Sequence, residues 1–310
     1  MDFEVQILGS NSAMSSHGRH PSSQLLKIHQ HSFLIDCGEG TQFQLQKFKC
    51  KPFRISCIFI SHLHGDHYFG LIGLLTTFQL LRRESKLTII GPAQLEEIIN
   101  LQLSVSNSVL TYPLEFIATD ANKVEVIYEN NEVVVTSIPL KHRIPCTGFL
   151  FREKLRPRKI HPENIKNFRL SPQGYDDLRN GLDAYDLSGQ FHKNEELTLQ
   201  GDVPRAYAYC TDTIFLPSII PIIKGVNLLY HESTFIGEAI EKAQDTYHST
   251  TFQAATIALE AQVGELIIGH FSSKYADLSI LLDECKTIFK PSSLAIEGEV
   301  FKVKKLHTTS

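Results

Sequence analysis

No run of about 18 apolar residues occurs along the 310-residue chain, which argues against a membrane-spanning helix. Its first residues, Met1-Asp2-Phe3-Glu4-Val5, lack the basic segment and apolar core of a secretory leader, so the expected location is the cytoplasm. The six cysteines, Cys37, Cys50, Cys57, Cys146, Cys210 and Cys285, form no C-x-x-C pair. Several lie in apolar, strand-like contexts, where a reduced thiol packs as a small hydrophobe. An excess of positive charge is also missing: the formal net charge of −4 excludes a protein that coats nucleic acid over its whole surface, and any such site must be local. What remains is an ordinary soluble composition, 42% hydrophobic and 21% charged, in a chain long enough for one large domain or two small ones.

The pattern of apolar residues alternates strands and helices. Strand-like segments run from Phe3 to Leu8, Gln24 to His29 and Phe33 to Asp36, around a loop rich in Gly, Ser and Asn, and predict an antiparallel opening. Helical spacing follows at Thr41 to Phe48, Tyr68 to Leu81 and Ala93 to Leu103, with strands at Leu87 to Ile90, Val124 to Tyr128 and Val133 to Ile138. Later, Arg205 to Cys210, Asn227 to His231 and Glu265 to Ile268 read as strands and Thr251 to Ala261 as a helix. The chain runs β, then mixed αβ, and repeats. Candidate ligands occur in both halves, so both halves must meet around one site.

The densest chemistry is in Ser61-His62-Leu63-His64-Gly65-Asp66-His67. Imidazoles and a carboxylate suit zinc or a similar borderline divalent ion. The loop lies between the apolar run Ile55 to Ile60 and a helical segment. Gly65 is expected to let the backbone turn tightly enough for His62 and His64 to face one ion while Asp66 and His67 face another. Three further candidates follow apolar strands: His142, Asp212 and His270. A carboxylate at a strand end can bridge two ions through its two oxygens. With the first cluster they make seven ligands, enough for two ions that share Asp212 and a water.

One segment has a different composition. Arg152, Lys154, Arg156, Arg158, Lys159, Lys166 and Arg169 face only Glu153 and Glu163 between positions 152 and 169, and a turn-rich, then acidic stretch continues to Asp202. Apolar residues look too sparse to anchor a core, so 152–202 reads as an exposed insertion in a single domain spanning 1–310. It is either a solvated loop with incidental charge or a phosphate-contacting arm.

Together these residues resemble the ribonuclease Z family, tRNA 3′-processing endonucleases of the metallo-β-lactamase superfamily, over nearly the whole chain. The resemblance is carried by Asp36-Cys37-Gly38-Glu39-Gly40-Thr41-Gln42, by the histidine loop continuing into Phe69-Gly70-Leu71, and by His142 with Pro145 and Gly148. Tyr209-Cys210-Thr211-Asp212-Thr213, His231-Glu232, His248-Ser249-Thr250 and His270-Phe271-Ser272-Ser273 continue it. The histidine loop marks only the superfamily; Gly38 to Gln42 and His248-Ser249-Thr250 narrow it to this branch.

The resemblance implies an α/β fold, an αββα sandwich, and a homodimer of the short form of the enzyme. It implies two Zn2+ per chain, with Mn2+ or another divalent ion compatible: His62, His64 and His142 hold one, Asp66, His67 and His270 the other, and Asp212 bridges them. Asp36 is expected to support these ligands by hydrogen bonding. Asp66 is the implied proton acceptor, and His248, held by Glu232, the implied donor to the leaving ribose oxygen. The basic insertion takes the place of the family's tRNA-clamping arm, with Arg156, Arg158 and Lys159 as expected substrate contacts. Lys274, where arginine often stands, is a fourth. The arm's usual glycine-proline motif is absent, with Pro172-Gln173-Gly174 in its neighbourhood. The implied reaction removes the 3′ trailer from precursor tRNA and leaves a 3′-hydroxyl. A small-substrate phosphodiesterase of the same superfamily and a non-catalytic tRNA-binding scaffold are the alternatives.

Overall fold

A computed structural model describes residues 2–199, 201 and 203–306. The chain divides into two compact units, one of residues 1–129, 134–152 and 205–310, the other of 130–133 and 153–204.

The larger unit contains two seven-stranded sheets. In the first, β1 (Phe3–Gly9), β2 (Ser23–Ile28) and β3 (His31–Ile35) are antiparallel neighbours. There β4 (Ile55–Phe59), β5 (Leu87–Pro92) and β6 (Leu114–Thr119) follow in parallel, and Val300–Lys302 closes the other edge against β1. The second sheet orders β7 (Val126–Glu129), β8 (Val133–Leu140), β9 (Cys146–Glu153), β10 (Ala206–Cys210), β11 (Leu228–Glu232), β12 (Glu265–Gly269) and β13 (Ser292–Leu294). From β10 to β13 its pairing is parallel. Parallel strands are covered on both faces, which is why β10 and β11 read as continuous buried runs while β1 alternates. Each sheet thus has an antiparallel part and a parallel part, and the chain follows the expected order of β, then mixed αβ, repeated.

Phe33 and Phe59 of the first sheet meet Phe149 and Phe151 of the second, with ring centroids 5.0–5.8 Å apart. On the outer face of the first sheet, Leu45 of α1 (Thr41–Lys47), Leu71, Leu74, Leu75 and Phe78 of α3 (Leu71–Leu80), and Leu95 and Ile99 of α4 (Gln94–Val105) pack over Leu34, Ile58 and Ile89. On the second sheet, α7 (Thr251–Glu260) packs against β11 and β12 and α8 (Ser279–Ile288) against β13. The layers run helix, sheet, sheet, helix. Among the described residues no helix is long and apolar enough to cross a membrane, and all six cysteines are free.

The helix expected from Tyr68 to Leu81 divides into α2 (Gly65–Tyr68) and α3. The break is at Gly70, whose N–H donates to the carbonyl of Cys37 at 2.9 Å and where a Cβ would run into the backbone of Gly38. Gly65 does not serve a tight turn. It begins α2, and a side chain there would occupy the space of the Phe69 ring.

The smaller unit differs from the sparse loop read from its sequence. Leu170, Leu178, Ala184 and Leu197 are buried together, with Ile160, Ile165, Phe168 and Tyr175 packed around them. These residues are far apart in sequence and are gathered by α5 (Pro172–Arg179) and two short antiparallel pairs, Lys159–Ile160 with Thr198–Leu199 and Ala184–Tyr185 with Phe191–His192. Where the glycine-proline motif is absent, Ser171 caps α5 by accepting the Gly174 N–H at 3.0 Å, and Pro172 takes the first helical position. The expected end of the insertion, Asp202, lies outside the described residues.

The aromatic contact between the sheets carries a direct test. Phe59→Ala is expected to lower stability by about 3–5 kcal/mol in denaturant unfolding, because the emptied volume is enclosed by rings that cannot collapse into it. A change within about 0.5 kcal/mol, ordinary for a surface site, would remove that packing role.

Candidate metal centre

The carboxyl ends of the central strands deliver the polar side chains: Asp36 after β3, His62 and His64 after β4, His142 after β8, Asp212 after β10, Glu232 at the end of β11 and His270 after β12. Asp66 and His67 lie in the single turn of α2. The backbone at Asp36 and at His270 is left-handed, with φ of 55° and 58°, a conformation that non-glycine residues seldom adopt and that turns each side chain back across the strand ends.

Two groups of donors take in the seven expected ligands, and a third combination, Asp212 with His248 and His270, overlaps them. His64 Nδ1 lies 3.1 Å from both His62 Nε2 and His142 Nε2, and Asp212 Oδ2 lies 3.6 Å from each of the latter. In the second group, His67 Nε2 and His270 Nε2 are 3.5 and 3.4 Å from Asp66 Oδ2, and 3.3 and 3.2 Å from Asp212 Oδ1. Donors bonded to one tetrahedral ion at about 2.0–2.1 Å stand roughly 3.3 Å apart, so these spacings match the edges of a coordination shell. Asp212 presents one oxygen to each group. His67 Nε2 is buried and makes no hydrogen bond, as expected of a lone pair reserved for a cation. Both groups could therefore hold a divalent metal ion.

The second nitrogen of each Nε2 donor is held in place. His67 Nδ1–H donates to Asp36 Oδ2 at 2.7 Å, His62 Nδ1 meets the Ser61 hydroxyl at 3.0 Å, His142 Nδ1 the carbonyl of Tyr247 at 2.9 Å, and His270 Nδ1 the Thr234 hydroxyl at 2.9 Å. Asp36 is fully buried and also accepts from the Ser61 N–H and hydroxyl and from Tyr209 Oη. Directly through His67 and by way of Ser61, it fixes the orientation of two of the metal-capable histidines. Burial lowers the pKa of His62, His64 and His142 below the usual imidazole range and so favours the neutral form that binds metal. At Asp212 burial works the other way, but the imidazoles of His270 and His67 outweigh it and keep the carboxylate ionised.

His248 stands beside both groups, its ring centroid 5.1 Å from that of His142 and 5.3 Å from that of His270. Its Nδ1–H donates to Glu232 Oε1 at 2.8 Å. Glu232 is buried and accepts from the N–H groups of Thr213 and Thr234 and from the Thr234 hydroxyl. Burial disfavours a charged His248, yet the Glu232 carboxylate outweighs it and lifts the pKa to about 9. A cleft of about 690 Å³ opens over His64, Asp66, His142, Asp212, His248 and His270.

Of the remaining expected residues, Lys274 lies outside these donor groups. Lys274 is exposed, its ammonium 5.2 Å from the Phe235 ring and 4.6 Å from that of Tyr275. In the smaller unit Lys159 is exposed and Arg156 half-buried, while Arg158 Nε donates to Thr198 Oγ1 at 2.7 Å and so ties that unit together. Four participants carried no sequence signal. The Ala13 N–H donates to Asp66 Oδ2 at 2.7 Å and Tyr247 offers its carbonyl, both through backbone atoms that any residue supplies, whereas Ser61 and Thr234 act through hydroxyls as common as any on the surface.

The comparisons agree with this geometry. Ribonuclease Z of Bacteroides fragilis is 45% identical over 296 residues, 96% of this chain and 97% of that protein. Ribonuclease Z of Cytophaga hutchinsonii is 46% identical over 308 residues, 98% and 97% of the two. The chain belongs to the ribonuclease Z family. Human tRNase Z, short form, superposes with a TM-score of 0.70 at 26% identity, covering 97% of this chain and all of that one. The metallo-β-lactamase fold protein YhfI from Bacillus subtilis gives a TM-score of 0.69 at 18% identity, so the fold is that of the metallo-β-lactamases. A family model described as Anti-Pycsar protein Apyc1 matches residues 3–156.

In this ribonuclease Z chain the charged pair stabilises the fold below pH 6.5, and that contribution is lost as the pH rises through about 9, because the folded pKa lies above the ordinary value. NMR titration of the metal-free protein is expected to place His248 near 9, and Glu232→Gln should bring it down. A wild-type value at the ordinary 6.5 would mean that the pair is not charge-coupled.

Proposed function

We propose that the protein is a metal-dependent endoribonuclease that removes the 3′ trailer of precursor tRNA, with two Zn2+ per chain as the resident ions. The observation that carries this reading is the near-full-length identity with ribonuclease Z, on a chain in which every donor is present. His62, His64 and His142 would hold one ion, Asp66, His67 and His270 the other, and Asp212 both. From the resemblance we add a homodimer acting in the cytoplasm.

When bound, the ions supply an acidified water and offset the charge that develops on the phosphoryl oxygens. The chain's own groups do the rest. Asp66 is largely buried, which disfavours its charge, but the neighbouring His67 imidazole holds its carboxyl below the usual range, so it is ionised. With the Ala13 N–H fixing Oδ2, it is placed to take the proton of the attacking water. The water oxygen forms the new bond to phosphorus and the bond from phosphorus to O3′ breaks. His248, whose Nδ1–H is given to Glu232, uses Nε2 to deliver a proton to O3′. The tRNA keeps a 3′-hydroxyl and the trailer a 5′-phosphate.

The small-substrate phosphodiesterase reading is disfavoured by the near-full-length ribonuclease Z relatives, whereas the Apyc1 match stops at residue 156, before Asp212, Glu232, His248 and His270. The scaffold reading is opposed by the complete donor set. Incubation with labelled precursor tRNA and mapping of the new end should give a 3′-hydroxyl at the edge of the tRNA body. His248→Ala should lower turnover by roughly 100-fold or more with RNA affinity kept. An intact precursor with the metal-loaded wild type would overturn the reading.

The smaller unit is the proposed tRNA-holding arm, supported by Arg156, Arg158 and Lys159 near its start. Acidic residues from Asp176 to Glu196 limit that charge to part of the unit. Removing 153–204 is expected to weaken precursor binding and flatten its salt dependence while hydrolysis of a small chromogenic phosphodiester continues. Equal retention of both activities would make the unit a bystander.

A further inference from the structure

Thr234 stands two residues beyond the end of β11, buried to 2% exposure. Its hydroxyl oxygen lies 2.7 Å from Glu232 Oε2, 2.9 Å from His270 Nδ1 and 3.3 Å from His248 Nδ1. A hydroxyl has one hydrogen to give, and an ionised carboxylate can only accept. The hydrogen therefore goes to Glu232, and the oxygen is left as an acceptor for imidazole N–H groups. His270 must then carry its hydrogen on Nδ1 and keep its lone pair on Nε2, the nitrogen that faces Asp66 and Asp212 at 3.4 and 3.2 Å. The same oxygen stands beside the Nδ1–H of His248 and limits rotation of that ring away from Glu232.

Ser61 shows the same arrangement at the other end of the site. Its hydroxyl is 2.9 Å from Asp36 Oδ2 and 3.0 Å from His62 Nδ1. In each case a buried carboxylate fixes the hydroxyl, and the hydroxyl fixes a ligand histidine. The difference is in the second imidazole: the carboxylate behind Ser61 also holds His67, a donor of the second group, whereas the carboxylate behind Thr234 holds His248, which the two-ion reading places outside both shells.

We propose that Thr234 is a positioning residue that sets two imidazoles with one hydroxyl, aligning His270 for the ion held with Asp66 and His67 and aligning His248 for proton delivery. The proposal rests on the two-ion phosphodiesterase reading but not on tRNA as the substrate. It separates Thr234 from Ser61, whose loss would loosen metal binding alone.

Thr234→Val keeps the shape and removes the hydroxyl, and Thr234→Ser keeps the hydroxyl. Zinc titration of chelator-stripped protein against a chromophoric chelator should show two ions taken up by the wild type. In Thr234→Val one of the two should bind about 10–100-fold more weakly, the usual effect of removing a partner behind a ligand histidine. At saturating zinc, kcat on a small chromogenic phosphodiester should still fall roughly tenfold or more with KM unchanged, because His248 has lost its restraint. Thr234→Ser should restore both. Wild-type affinity for both ions in Thr234→Val, or wild-type kcat at saturating zinc, would overturn the proposal. So would a Thr234→Ser variant as impaired as Thr234→Val, which would assign the effect to the methyl group. Failure of the wild type to cut precursor tRNA would strike the functional reading and leave these outcomes intact.

Discussion

Three carboxylates buried at the strand ends, Asp36, Asp212 and Glu232, impose the constraint to which the rest of the structure answers. A buried carboxylate is costly unless its oxygens are filled by donors or cations. Asp36 is filled by the Ser61 N–H, two hydroxyls and the Nδ1–H of His67. Glu232 is filled by two backbone N–H groups, the Thr234 hydroxyl and His248. Asp212 receives little of this kind beyond its neighbour Thr211 and faces four imidazole nitrogens. The first two carboxylates organise the histidines, and the third is where the histidines converge.

This division explains why a metal-capable cluster can sit on a sandwich whose interior is aromatic. The sheets meet through Phe33, Phe59, Phe149 and Phe151, and Tyr209 crosses from that apolar layer to Asp36, stacking on Phe149 and giving its hydroxyl to the carboxylate. The rigid layer ends where the polar layer begins. The left-handed backbone at Asp36 and His270, each one residue past a strand end, stores local strain at that boundary.

His248 is connected to both halves of the site. Tyr247, its neighbour, gives a carbonyl to His142, while Thr234 joins its partner Glu232 to His270. His248 and the two donor groups are thereby tied through single residues, so a displacement of either group would be felt at that imidazole.

By itself the sequence determined the strands of the parallel parts, because runs such as Ala206 to Cys210 are apolar throughout, and it pointed to the metal-capable candidates, because histidines and aspartates crowd one loop and recur just after such runs. It also determined the family, through motifs spread over the chain. It did not reveal why Gly65 and Gly70 are glycines, since the reasons are the Phe69 ring and the Gly38 backbone, both set by packing. Nor did it reveal the core of residues 153–204, whose apolar side chains are too far apart to form a period and meet only after α5 and two short strand pairs have formed. The supports at Ala13, Ser61, Thr234 and Tyr247 were decided by tertiary structure alone: a backbone amide, a carbonyl and two hydroxyls gain their meaning from what the fold places within 3 Å of them.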